Sequence, residues 1–322
     1  MTNLSIEAKA KGKFRLQKVN PLTGEVTFDS GEFDNNLLNN FFVTSVSLFV
    51  CLVGTDSTVS NSDTTLTSLG NTSGRVTTTN YSVDAAGVVS FDYVNTYTFT
   101  AGAIVGNMSC IGLSASATLT GNNLKIKSLI KDLNGDPTTI PATAGDQIVV
   151  THTLNVKWNQ YQSLGTFIVD GVTYQADFYD VHVANTVGAA GTTIYGYLGL
   201  NDHQNMGTGG SCYPLLVTGF TPPSIPTLVS SYIPFNTGRL YPGVLTIQTQ
   251  AYDSSAGTMK SSFSFPLAAN SNMAANAPIA AVGFSPESSA TSVLMAVAFT
   301  PALPKNTSIA YTFTLTLTMT RA

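Results

Sequence analysis

A chain of 322 residues is long enough for two domains of roughly 150 residues each and too long for one small core. Hydrophobic residues make up 43% of it and charged residues 10%, against about a quarter in ordinary soluble domains, a balance opposite to that of disordered chains. The formal net charge is -4, and the 14 Lys and Arg are scattered apart from a cluster between Lys9 and Lys18, which excludes a nucleic-acid-binding surface.

A surface so poor in Lys and Glu is weakly defended against association, so further copies or other proteins are expected to cover much of it. Cys51, Cys110 and Cys212 lie far apart in apolar or Gly-rich contexts, which fits neither a disulfide framework nor a metal knuckle. They read as small core residues of a reducing compartment. The opening MTNLSIEAKAKGKFRL has no apolar core of the secretory type.

Residues 1–40 read as a charged N-terminal docking segment, with Phe14–Val19, a turn at Asn20-Pro21-Leu22-Thr23-Gly24 and Glu25–Phe28 forming a hairpin. Its Lys and Arg on one arm and Glu25, Asp29, Glu32 and Asp34 beyond the turn can face each other across the strands. Phe41–Val53 is apolar, but at 13 residues broken by Thr44, Ser45 and Ser47 it falls short of the about 20 that a membrane helix needs. No membrane insertion is expected.

Ile148, Val150, His152, Leu154, Val156 and Trp158 alternate with polar residues, the pattern of a half-buried strand. Ile309, Tyr311, Phe313, Leu315, Leu317 and Met319 alternate with Ala and Thr in the same phase. More matches lie in the same order. Ile111-Gly112-Leu113-Ser114 faces Val282-Gly283-Phe284-Ser285, Thr72–Val76 faces Asn236–Leu240, and Ala86-Gly87 faces Ala256-Gly257. Ser47–Val53 has a weaker counterpart in Thr193–Leu200. An internal duplication follows, with a boundary near Trp158–Gly165.

The domains are therefore 1–40, a first copy at 41–160 and a second copy at 161–322. The second carries an insertion at about 201–241, rich in Gly and in Pro222, Pro223, Pro226 and Pro234, read as a surface arm because proline this dense cannot enter central strands. The Ala-rich stretch Leu267–Val282 is interrupted by Asn270, Asn272, Asn276 and Pro278 and reads as loop. The fold class is all-β: tandem antiparallel β-sandwich domains, immunoglobulin-like or jelly-roll, preceded by the hairpin segment.

Few residues suggest chemistry. Asp202, His203, Ser211 and Cys212 share one Gly-rich loop, but their spacing matches no nucleophile elbow. His152 and His182 sit in alternating strands without companions at metal-ligand spacing. Asp132-Leu133-Asn134-Gly135-Asp136 starts like a calcium loop, but its Gly comes early and Thr143 stands where the bidentate Glu belongs, so a hairpin turn is expected. No catalytic, cofactor-binding or metal-binding residue is assigned and no cofactor is expected: the chain reads as a non-enzyme.

Gly12-Lys13-Phe14-Arg15-Leu16, Thr23-Gly24-Glu25-Val26 and Gly31-Glu32-Phe33-Asp34-Asn35-Asn36-Leu37-Leu38-Asn39 together resemble the opening of virion structural proteins of tailed double-stranded DNA bacteriophages. Ile111–Ser114, Lys131–Ile140 and Gly145–Thr151 are similar to the later part of the same phage domain, so the resemblance spans Gly12–Trp158. It implies a tail fibre or tail-appendage subunit, located in the virion after assembly in the bacterial cytoplasm. Its implied partners are other virion proteins, further copies of itself and a host-surface glycan or receptor. A capsid decoration, cement or head-fibre protein and a glycan- or receptor-binding adhesin are the alternative readings.

Overall fold

The fold is that of a computed structural model, which describes residues 2–42, 50–119, 123–180, 213–217, 221–222, 233–234, 247–253, 256–267, 278–285, 292–293, 295–304, 309 and 311–322. Among these residues the chain is all-β, with antiparallel pairing throughout except at one strand pair, and its helical content is a single 3-10 turn at Asn39–Phe42. The first half holds β1 (Thr2–Val19), β2 (Val26–Leu37), β3 (Val50–Gly54), β4 (Ser68–Thr72), β5 (Arg75–Val83), β6 (Val88–Phe99), β7 (Gly106–Met108), β8 (Cys110–Ser114), β9 (Leu124–Leu129), β10 (Ile140–Ala142) and β11 (Gln147–Asn159). The second holds β12 (Tyr161–Val169), β13 (Val172–Asp180), β14 (Tyr213–Val217), β15 (Ile233–Pro234), β16 (Ile247–Asp253), β17 (Thr258–Leu267), β18 (Ile279–Ser285), β19 (Ser292–Val293), β20 (Met295–Leu303) and β21 (Tyr311–Arg321).

Strand β1 organises the molecule. Ile6, Ala8, Ala10, Phe14 and Leu16 are buried while Glu7, Lys9, Lys11, Lys13 and Arg15 between them are exposed, the period-2 signature of a strand with one wet face. One edge of β1 pairs antiparallel with β11, from Ala8↔Trp158 to Val19↔Gln147. The other edge is shared: Thr2–Ala10 pairs in parallel with Phe313–Arg321 of β21, and Gly12–Val19 pairs antiparallel with β2.

The first 40 residues are therefore not a docking segment set apart from the body. Phe14, Leu16, Phe33, Leu37 and Leu38 are all buried, and the charges that suggested a detached piece are the solvent face of strands whose other face is core. The charged face itself is arranged as expected, in a ladder described below.

The boundary near Trp158–Gly165 is no linker. β11 passes into β12 with Gln160 alone between them, fully buried. Its N–H bonds to the Gly87 carbonyl at 2.8 Å, and its carbonyl accepts from the Asp180 N–H at 2.7 Å. The indole of Trp158 donates to the buried Asp180 carboxylate at 2.7 Å. One cluster of buried side chains runs from Ile6, Phe14 and Val150 through Trp158 to Phe178, Val297, Phe299 and Met319, so the core is continuous across the junction.

The two halves carry corresponding pairings. β5–β6–β11 and β16–β17–β21 are each joined in that order, and Val88↔Asn159, Val89↔Trp158 and Tyr97↔Val150 match Thr258↔Thr320, Met259↔Met319 and Leu267↔Tyr311. β3–β8–β9 has its like in β14–β18–β20: Leu52↔Gly112 and Gly112↔Lys127 match Leu215↔Gly283 and Gly283↔Ala296. Tyr213–Val217 therefore takes the place expected for Thr193–Leu200, which lies outside the described residues. The span 201–241 is accordingly not one uninterrupted arm, because it contains β14; its remainder is described only at Thr221-Pro222 and at β15.

Candidate assembly surface

The charged ladder lies on the wet face of the β1–β2 hairpin. Lys11 meets Asp34 at 3.0 Å and Lys13 meets Glu32 at 2.9 Å, while Arg15 grips Asp29 with two N–H donors, Nε reaching Oδ1 at 2.9 Å. The Arg15 guanidinium holds the Asp29 carboxyl far below the usual carboxylate range. Each cation is thus neutralised by its own hairpin, and each such pair, half-exposed, stabilises by about 0.2–1 kcal/mol. The face is polar and ordered but carries no free excess of one sign at these three rungs.

A buried ionic group holds the loop after β3. Lys127 on β9, 4% exposed, bonds Asp56 at 2.7 Å and Asp63 at 2.8 Å. Burial alone would lower its pKa; the two aspartates outweigh that and raise it. Lys125, two residues earlier on the same strand, donates to the Asn40 carbonyl at 3.0 Å, and burial brings its pKa down to about 8. Both Cys51 and Cys110 are buried free thiols whose pKa values burial raises, that of Cys110 to about 11. Thiols so protonated are poor nucleophiles.

His152 is fully buried, 5.2 Å from the Phe14 ring between centroids, with both ring nitrogens lacking a hydrogen-bond partner. Asn95, its neighbour in register on β6, and Asn35, on the diagonal across β1, also bury amide atoms without partners. The Asn35 amide lies directly over Gly12, where a Cβ would come within 2.2 Å of its Oδ1. Asp132–Asp136 is a turn, as its residues suggest: the Asp132 carboxylate accepts from the N–H groups of Asn134 and Asp136, and Gly135 adopts a φ of 86°. Asp202, His203, Ser211, Cys212 and His182 lie outside the described residues. Among the described residues no group of three or more His, Cys, Asp and Glu is placed to hold a metal ion, and no helix is long and apolar enough to cross a membrane.

Exposed apolar side chains gather at strand ends and on one hairpin. Leu22 at the β1–β2 turn is 94% exposed and Leu133 at the β9–β10 turn 81%. The β12–β13 hairpin exposes Tyr161, Ile168 and Val172. That hairpin was not anticipated, although its signal is present: Asp170-Gly171 between apolar runs is a two-residue turn of the type that needs positive φ at both positions, and the values are 50° and 78°. On its inner face Phe167 stacks on Tyr174 at 5.7 Å and meets Phe299 edge-on at 6.0 Å.

No family model, no curated protein and no solved structure matches the chain.

Proposed function

We propose that this chain is a structural protein of a tailed bacteriophage particle, a fibre, appendage or adaptor subunit of the tail apparatus that acts by protein–protein assembly and catalyses nothing. The observation that carries the reading is the placement of the resembling stretches. Gly12–Leu16, Gly31–Asn39, Ile111–Ser114 and Gly145–Thr151 fall on or beside β1, β2, β8 and β11, strands of one sheet system, while Thr23–Val26 and Lys131–Ile140 are largely the turns after β1 and β9, so the resemblance covers the strands and connecting turns of one folding unit. Support also comes from exposed apolar turns on a chain with 10% charged residues, the surface chemistry of a subunit that is covered by neighbours.

The corresponding pairings of the two halves support, as part of this proposal, a duplicated β-unit. A virion subunit with two like units offers twice as many like contact sites per chain as a single unit does. The test is to label particles with an antibody against this protein and image them. Label on tails or their appendages is the expected result; label confined to capsids, or absent from particles, refutes the tail assignment.

A further inference from the structure

We infer that the outer edge of β12, Gly165–Val169, is a strand-pairing site for the same edge of a second copy of this chain. The inference deepens the reading of the chain as an assembling subunit and does not depend on which particle it serves.

The ground is a difference between the halves. In the first half, the opening strand β1 is paired on both edges, by β2 and by the closing strand β11. In the second half, β12 pairs with β13, as β1 does with β2, but the closing strand β21 runs in parallel beside Thr2–Ala10 of β1 instead. Among the described residues no strand pairs with the other edge of β12. β12 meets β1 through a side chain: Gln162 Oε1 accepts from the Glu7 N–H at 3.0 Å and its Nε2 donates to the Glu7 carbonyl at 3.3 Å. This amide imitates one rung of a ladder, and the ladder goes no further. Among the described residues, β5 and β16 are outermost in both halves, so an open edge there is part of the shared arrangement; β12 is where the described strands of the second half lack a partner that the first possesses.

The edge also lacks the usual protection. Tyr161–Val169 contains no charged residue and no proline, whereas open edges are normally guarded by Lys, Pro or inward charges. β14, at the opposite side of the five-stranded sheet, does contain Pro214. Beyond the bulge between Ser163 and Gly165, where Gly165 takes a φ of 93°, the pairing runs in unbroken register through Gly165–Val169. Thr166 and Ile168 project outward, Ile168 with 70% of its surface exposed.

A second copy is the occupant that fits an uncharged edge. Antiparallel pairing of identical strands about a two-fold axis sets each residue against its mirror partner, and no like charges oppose. With Phe167 on the axis, Thr166 faces Ile168 of the other copy twice, which opposes two β-branched pairs, and two five-stranded sheets become one continuous sheet.

The test compares the full chain with the double variant Thr166→Lys/Ile168→Lys by sedimentation velocity over a concentration series, with circular dichroism to verify folding. The wild type is expected to dimerise, and the variant, with four lysines brought together, to need at least about tenfold more protein to do so. A second measurement oxidises the double variant Thr166→Cys/Ile168→Cys against the wild type, and a covalent dimer specific to the variant is expected. If the wild type associates while the lysine variant associates equally well and the cysteine variant does not cross-link, the β12 site is wrong and the assembling-subunit reading survives. A wild type that stays monomeric at all concentrations overturns both.

Discussion

Acid should unfold this protein through His152. The imidazole is fully buried against Phe14, neither nitrogen has a partner, and burial alone brings its pKa down to about 3. In the unfolded chain it returns to about 6.5. A base whose pKa is depressed by folding binds its proton preferentially in the unfolded state, so stability falls as pH drops below 6.5 and stops falling below 3. At pH 7 the contribution is a small fraction of 1 kcal/mol; at pH 4.5 it is about 3 kcal/mol, and near pH 3 it approaches roughly 5 kcal/mol. That is a large part of the stability of an ordinary domain.

Phenylalanine is the informative replacement, since Phe313 occupies the matching place in β21 and the ring needs no partner. Urea unfolding of wild type and His152→Phe between pH 7.5 and 4.5 should give curves that diverge on acidification, the wild type losing about 3 kcal/mol more than the variant. Carboxylates held low by their partners, such as Asp29, lose their contribution as pH falls through 3.8 and below and affect both proteins alike, so the difference isolates the histidine. Curves that stay parallel down to pH 4.5 would refute the assignment of a neutral, desolvated ring.

Gly12→Ala should cost about 1–3 kcal/mol in chemical denaturation, because its methyl meets the Asn35 amide, and Asn35→Ala in the same chain should recover part of the loss. Asp180→Ala takes the acceptor from the Trp158 indole and should cost about 1–3 kcal/mol, read in the thermal midpoint and in the fluorescence of the single Trp. Lys127→Met strands Asp56 and Asp63 and should cost about 3 kcal/mol and open residues 55–67 to limited proteolysis. Lys13→Ala removes a half-exposed pair and should change stability by less than about 1 kcal/mol; a larger loss would mean that the ladder acts as a unit.

Alternation made β11 and β21 legible, since period 2 with one apolar face leaves no other regular structure for Ile148–Trp158. The opposed charges of the hairpin were legible for the same reason, as antiparallel strands bring Lys13 and Glu32 to one face. What escaped was every feature set by distant pairing. Nothing in Thr2–Ala10 announces that its partner is Phe313–Arg321, because parallel pairing leaves no turn in the sequence to mark it. β14 was hidden inside a stretch judged by its prolines, and Tyr213-Pro214-Leu215 shows that a strand tolerates one when it lies at a sheet edge. The buried set of His152, Asn95 and Asn35 was half visible: the strand phase placed His152 inside, but the company it keeps depends on register across four strands.

The pairing of β1 with β21 sets a clock on synthesis. Ser5 and Thr318, whose hydroxyls meet at 3.3 Å, are 313 residues apart, and a ribosome adding about 5–20 residues per second separates their emergence by roughly 15–60 s. Throughout that interval one edge of Thr2–Ala10 has no cis partner, while neighbouring nascent chains on the same message display the same bare edge. A chain cut short before residue 311 never closes it. The strand that ties the two halves together is thus also the one that distinguishes a finished copy from a truncated one.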